Sequence, residues 1–518
     1  MTRSSGAPKP SPSESEIVQL LLRRATENPL GSAVLSQAGR LTWGELHQRA
    51  EQVSKAIDVA AARSGPVLLV GSNSVGYLVA FYGIRMSGRL VVPAAAATPT
   101  AQLNRMADFV GVDLAVVVLD EDGAMQRASE CETVVAAVLH LTREGQVAHV
   151  CRAGSQTRTQ VPVPAQAALV GFTSGSTGQP KAVVHAEASL MHGARCYYRD
   201  VMHGRPDPIM ATLPLSHAGA VTVTMLTALV AGSPLVALDR FSAESFEASA
   251  ALAPAQVVML VPTMVELIDR ANLRLQSESR PRVVVISGAP IHAGVVERAH
   301  EVTGAEVRAG LGMSECPGTV LLSPEGMDLP SLTQILGAAS KGYAATTRPL
   351  SSKDRDSPLE LLVQADVPAL GYLLENGEMS SIGDNEGWIS SGDLVYPTRD
   401  GVYRLRGRIK DVYIRGGFNV FPAEVEAVLL RYPGVTQGVV VGVPDPVLGE
   451  RGHAWLRADD PATFDVESLR RFLTEQLPMY KNPDEISVVK ELPTNSTGKI
   501  DRRVLAEAAV SRALGVTL

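Results

Sequence analysis

One nine-residue stretch, Thr173-Ser174-Gly175-Ser176-Thr177-Gly178-Gln179-Pro180-Lys181, concentrates groups that bind anions. Four of its side chains carry hydroxyls, two residues are glycine, and the run ends in a lysine. Glycines let backbone N–H groups approach an anion closely, hydroxyls add donors, and the lysine adds positive charge. This is the composition of a phosphate cradle, and a polar surface loop shares it. It is not a Walker A loop, which needs Gly-x-x-x-x-Gly-Lys-Ser/Thr; here Lys181 follows Pro180 and precedes Ala182. Three further residues carry chemistry in turn-like surroundings: Glu315 after Gly312-Met313-Ser314, Asp393 after Ser390-Ser391-Gly392, and Lys499 after Gly498. A single carboxylate together with phosphate oxygens suffices for a hard cation such as Mg²⁺. Taken singly, each of these residues also fits an ordinary surface turn.

Such residues need elements to hold them. The run Ala167-Ala168-Leu169-Val170-Gly171-Phe172 reads as a buried strand leading into the hydroxyl loop, and residues 181–195 read as a helix leaving it. Residues 282–286 read as another buried strand, ending in Ser287-Gly288-Ala289-Pro290. Apolar spacing predicts a helix over 14–26, with Ile17, Leu20 and Leu21 on one face. A second helix opens at Leu41-Thr42-Trp43, with Thr42 as its cap. Strands are expected at 67–70, 91–93, 114–119 and 134–139, and a helix at 77–86. Strand and helix alternating at this spacing imply βαβ units and a parallel sheet. The C-terminal stretch reads as a separate small α+β unit, with strands at 439–443 and 486–489 and a helix at 465–476.

Bulk properties narrow the function. At 518 residues the chain has room for more than one domain. An apolar fraction of 45% and a charged fraction of 19% fit a soluble globular protein. The net charge of −7, with no basic run, argues against nucleic-acid binding. Cys131, Cys151, Cys196 and Cys316 are widely spaced and form no CxxC pair. That suits a reducing cytoplasm and argues against a disulfide framework or a zinc site. Residues 1–16 lack the apolar core of a secretory signal and read as a disordered tail. Residues 218–238 approach the ~20 residues that a bilayer span requires. Gly219, Gly232, Ser233 and Pro234 interrupt them, so a buried helix followed by a strand is expected and no membrane span.

The order Thr-Ser-Gly-Ser-Thr-Gly-x-Pro-Lys resembles the phosphate-binding signature of the adenylate-forming superfamily, which includes acyl-CoA synthetases, peptide-synthetase adenylation domains and luciferases. Further segments resemble that family's motifs in the family's order, over residues 41–503. Leu213-Pro214-Leu215-Ser216-His217-Ala218-Gly219 is similar to its Pro-Leu-x-His-x-x-Gly segment, with the glycine one residue early. Gly288, Ala289 and Pro290 match the Ser-Gly-x-Pro turn that packs on adenine. Leu311-Gly312-Met313-Ser314-Glu315 follows Gly310 and matches Tyr-Gly-x-Thr-Glu. Asp393 matches the ribose-binding aspartate of Thr-Gly-Asp-Leu. Arg408, Lys410, Gly416 and Gly417 match Gly-Arg-x-Lys-Asp followed by Gly-Gly. Lys499 matches the catalytic lysine of Leu-Pro-x-x-x-x-Gly-Lys.

The resemblance implies an α/β fold: a large N-terminal region of α/β subdomains over 17–407, a hinge at 408–410 centred on Lys410, and a small mobile α+β domain over 411–518. It implies ATP, Mg²⁺ and coenzyme A. Residues Thr173, Ser174, Gly175, Ser176, Thr177, Gly178 and Lys181 would hold the β- and γ-phosphates. Ser314 would contact the α-phosphate, Glu315 would hold the metal, and Arg408 would contact ribose or phosphate. Lys499 would bridge carboxylate and α-phosphate, and Gly416 and Gly417 would line the pantetheine tunnel. His217, Ala218 and Gly310 would border the acyl pocket. Thr173, His217, Glu315 and Lys499 are thus the expected catalytic set.

Two departures matter. Amino-acid-activating relatives carry Asp where this chain has Ala218, and a buried ammonium there would lack a counter-charge at a cost of several kcal/mol. The expected substrate is therefore a non-amino, largely apolar carboxylic acid. Leu311 replaces the family's tyrosine and forgoes base stacking, a term of about 1–3 kcal/mol. The leading expectation is an AMP-forming acyl-CoA synthetase. Loading of an acyl carrier protein, or the thioester half-reaction alone, remains as an alternative.

Overall fold

A computed structural model describes residues 15–60, 65–118, 130–131, 134–152, 161–173, 181–254, 256–291, 294–333, 335–350, 358–495 and 499–513. Among the described residues no helix is long and apolar enough to cross a membrane. Residues 1–14 of the expected tail lie outside them, but its last two residues do not. Ser15 caps the helix Glu16–Glu27 by accepting from the Val18 N–H at 3.3 Å. Its hydroxyl also donates to the Glu187 carboxylate at 2.8 Å, and Arg85 grips that same carboxylate at 2.8 Å. The expected tail and the observed helix thus overlap at Ser15 and Glu16. Thr42 caps the next helix as expected: its backbone N–H donates to Glu45 at 2.8 Å and its hydroxyl accepts from the Glu45 N–H at 3.2 Å.

Two large sheets carry the N-terminal part. The nine-stranded sheet is parallel at its centre, where Val91–Ala95, Val67–Gly71, Leu114–Val118 and Ala137–Leu141 lie side by side with Ala167–Thr173 beyond Val91–Ala95. The thirteen-stranded sheet has a parallel half of Leu235–Ala237, Ile209–Ala211, Val257–Leu260, Val283–Ile286 and Glu306–Met313. Both parallel runs read as continuous apolar stretches because helices bury both faces. The predicted helix at 181–195 is half strand. Lys181–Ala186 pairs antiparallel with Ala167–Thr173, and the helix runs from Glu187 to Asp200. Ala182, Val183 and Val184 are fully buried between the layers, a setting that suits the β-branched pair.

The apolar run at 218–238 is a buried helix and then the strand Leu235–Ala237, as expected. Its middle, Val221–Leu226, widens into a π-helix. Thr222, Thr224 and Thr227 donate their hydroxyls to the carbonyls of Ala218, Ala220 and Thr222. Such side-chain bonds compete with the regular ladder and loosen it.

The C-terminal part folds on its own five-stranded sheet, with Val435–Asp445 and Gly449–Ala458 as its longest pair. Tyr413, Val420, Val425, Leu429, Val440, Leu456, Leu469 and Leu473 pack as its core. Glu426 is fully buried beneath it, accepting from the Val440 N–H at 2.8 Å and from Arg502 at 2.8 Å. The sheet's side chains also reach the N-terminal part, where Gln437 donates to the Glu266 carboxylate.

Candidate active site

The site forms where strand ends of both large sheets meet the C-terminal part. The turn after Val283–Ile286 places Gly288 at φ +85°, a left-handed conformation that favours glycine. A Cβ at Gly288 would stand 3.2 Å from Cε and 3.6 Å from Nζ of Lys499. The predicted lysine thus lies against the predicted adenine turn, 211 positions away in the sequence (499 − 288). A small β-bridge between Thr494 and Ile500 holds it there, with the Lys499 N–H donating to Asn495 Oδ1 at 3.1 Å.

Charge gathers around that ammonium. Burial first, then the charges of Arg408 and Lys410, push the Lys499 ammonium below its ordinary value, while Asp393 opposes them. Asp393 is buried and accepts from Arg408 Nε at 2.8 Å, the two facing each other across paired strands. Burial raises the Asp393 carboxyl although Arg408 and Lys499 act against it. His217 sits at the N-cap of the helix starting at Ala218. Burial, and next the Lys499 charge, push its imidazole down to about 4, so the ring is neutral near pH 7. Lys410 lies in the short 3₁₀ turn Ile409–Asp411 between the strand of Arg408 and the C-terminal sheet.

A second cluster meets the first. Gly171, two residues before Thr173, lies close to Ala218: a Cβ built on it would stand 3.5 Å from the Ala218 Cβ. Thr173 ends its strand opposite Lys181, and its hydroxyl donates to the Lys181 carbonyl at 3.5 Å. The Lys181 ammonium stands 4.8 Å from the ring centroid of Tyr372. The Tyr372 hydroxyl in turn donates to Glu315 Oε1 at 2.6 Å. Burial, then the bond to Glu315, hold the phenol above its ordinary range, so it remains a donor. Ser174, Gly175, Ser176, Thr177 and Gly178 lie outside the described residues.

The remaining predicted residues of the N-terminal part lie on two paired strands, Val283–Ile286 and Glu306–Met313, and the turns that follow them. Gly310 is buried, with Thr319 and Val285 both 3.2 Å from where a Cβ would be. Leu311 is half-buried against the cluster of Cys316, Val320 and Leu321. Gly312 backs onto the Gly318 carbonyl, 2.7 Å from a built Cβ, and excludes any side chain there. Ser314 and Glu315 form the turn between Glu306–Met313 and Cys316–Leu322. Ala289 and Pro290 follow Gly288, half-buried. Gly416 and Gly417 form the tip of a two-residue hairpin of the C-terminal sheet, at φ +58° and +86°.

Among the described residues no group of three His, Cys, Asp or Glu side chains could cage a metal. Glu315 alone fits Mg²⁺ by donor chemistry: one oriented carboxylate is what a polyphosphate-bound ion needs from protein. Sequence reading missed Tyr372, whose partner Glu315 lies 57 residues away. A lone tyrosine after Gly371 carried no signal of its own.

Known proteins resemble this chain over most of its length. Residues 21–342 match the AMP-binding enzyme family, and residues 424–499 match the AMP-binding enzyme C-terminal domain. A sulfoacetate–CoA ligase of Cupriavidus necator is 30% identical over 355 residues, 67% of this chain and 68% of that protein. A feruloyl-CoA synthase of an Amycolatopsis species is 28% identical over 490 residues, 92% of this chain and 96% of its own. The crystal structure of ATP-bound MatB from Rhodopseudomonas palustris superposes with a TM-score of 0.80 at 24% identity, covering 94% of this chain and 98% of its own. The apo form of that protein gives 0.69 at the same identity, covering 96% and 99%. The first family match alone spans more than half of the sequence, and the chain belongs to the AMP-binding enzyme family.

Proposed function

We propose that this chain is an AMP-forming acid–thiol ligase that converts a non-amino, largely apolar carboxylic acid to its acyl adenylate and then to the CoA thioester. The observation that carries the reading is Lys499 beside Gly288 and His217, with Asp393 and Arg408 around it. A carboxylate is a poor acyl donor because its leaving group would be oxide. When its oxygen attacks the α-phosphorus of ATP, the α–β P–O bond breaks and pyrophosphate departs. A thiolate then attacks the acyl carbon of the adenylate, and AMP leaves.

Each residue has a task in that sequence. Lys181 and residues 173–178 would hold the outer phosphates, and Glu315 would hold Mg²⁺, which would neutralise polyphosphate charge. Asp393, fixed by Arg408, accepts the ribose hydroxyls. Lys499 draws carboxylate and α-phosphate together against their repulsion. Neutral His217 orients the carboxylate without adding charge. Buried Ala218 offers no counter-charge to an ammonium, which favours an acid without an α-amino group. Residues 17–407 form the larger body and 411–518 the smaller one, with rotation about 408–410 after adenylation withdrawing Lys499 and bringing up Gly416 and Gly417. The setting is cytoplasmic.

The test is a panel of carboxylic acids given to the purified protein with ATP, Mg²⁺ and CoA, with acyl-AMP and acyl-CoA scored separately by mass spectrometry. Apolar acids should give both products, and α-amino acids neither. Acyl-AMP without acyl-CoA, completed only by a holo carrier protein, would move the thiol from CoA to the carrier. No adenylate from any acid would overturn the reading.

A further inference from the structure

Tyr372 touches both halves of the phosphate machinery at once. It lies on the strand Gly371–Leu373, which pairs with Lys181–Ala186 in the register Tyr372 to Val183. That pairing sets its ring under the Lys181 ammonium, 4.8 Å from the centroid, and points its hydroxyl at Glu315 Oε1, 2.6 Å away. The Ala369 N–H, three residues before Tyr372, donates to the Glu315 carbonyl at 2.9 Å, so the same segment holds Glu315 by backbone and by side chain. The hydroxyl fixes one carboxylate oxygen and so the direction in which the other faces. The ring face is electron-rich and stabilises a cation above it. A carboxylate and an ammonium that must act on one polyphosphate are therefore referenced to a single rigid side chain.

We infer that Tyr372 is a positioning residue that orients Glu315 toward the metal and Lys181 toward the outer phosphates of the nucleotide. This rests on the ligase reading above. The two contacts make separable claims, because Tyr372→Phe removes only the hydroxyl and Tyr372→Leu removes the ring face as well.

Isothermal titration of ATP into the full chain, with and without Mg²⁺, together with the Mg²⁺ dependence of pyrophosphate exchange, tests the role. For Tyr372→Phe, metal-free ATP affinity should stay at the wild-type value while the half-saturating Mg²⁺ rises about tenfold, the scale of one hydrogen bond to a charged group. High Mg²⁺ should restore its exchange rate, a rescue that a folding defect would not show. For Tyr372→Leu, metal-free ATP affinity should fall as well. An unchanged Mg²⁺ dependence in Tyr372→Phe, or a loss that high Mg²⁺ fails to rescue, would overturn the role. A wild-type chain whose ATP binding ignores Mg²⁺ would overturn both the role and the ligase reading beneath it.

Discussion

At the scale of single residues, burial rather than charge pairing sets the protonation states that matter. His185 is fully buried, neither ring nitrogen has a hydrogen-bond partner among the described residues, and burial holds its imidazole down to about 3. His217 and His453 are held at about 4, burial being the first cause in each. These rings are neutral in the folded chain, but unfolding returns them to an ordinary value of 6.5. Below pH 6.5 the unfolded chain therefore binds more protons, and stability falls as pH drops through the window toward 4. For His185 the loss at pH 5 is on the order of 2 kcal/mol. Urea midpoints at pH 7 and pH 5 should differ in that direction, and His185→Leu should narrow the gap. An equal gap in wild type and variant would contradict the account. The motifs that carry His217 and Lys499 were legible in the sequence; the charge of Lys499 acting on the His217 ring was not, since no local pattern encodes which charges a fold brings together.

At the scale of elements, turns carry as much of the site as strands do. Arg415 pairs with Phe418 across Gly416 and Gly417, giving a two-residue hairpin whose central residues are both left-handed. That geometry matches strand twist, and a side chain there costs about 1–2 kcal/mol. Gly416→Val should slow the thioester step from supplied acyl-AMP while pyrophosphate exchange stays near wild type. Loss of exchange alone would show that this hairpin acts elsewhere. Val67–Gly71, Val91–Ala95, Leu114–Val118, Ala137–Leu141, Ala167–Thr173 and Val283–Ile286 were legible as apolar runs, as were the Thr42 cap and the buried helix at 218–238, whereas Val257–Leu260 and Glu306–Met313 were not. The strand Lys181–Ala186 was not. Its alternation is hidden because it is buried on both faces, and its partner is set by a hairpin spanning the hydroxyl loop. Tyr372 stayed invisible for a related reason: it gains its meaning only from pairing with that strand.

At the scale of the whole molecule, the large N-terminal part and the smaller C-terminal part meet over one site. Gln437 of the C-terminal sheet donates to Glu266, which burial raises above the usual carboxylate range despite Gln437, Arg298 and Arg270 nearby. Gln437→Glu would set two carboxylates against each other and disfavour this arrangement. Pyrophosphate exchange should slow roughly tenfold, equivalent to about 1.4 kcal/mol, with thioester formation from acyl-AMP unchanged. Equal slowing of both half-reactions would show a general loss of stability instead. The central claim is that Lys499, carried by the smaller body, serves adenylation alone. The most direct measurement compares both half-reactions in Lys499→Ala: ATP–pyrophosphate exchange with a good acid, and CoA thioester formation from supplied acyl-AMP. Exchange is predicted to fall at least about a hundredfold, as when one positioned charge-stabilising donor is lost, while the thioester rate stays within about twofold of wild type. Exchange that survives the substitution intact would contradict the account.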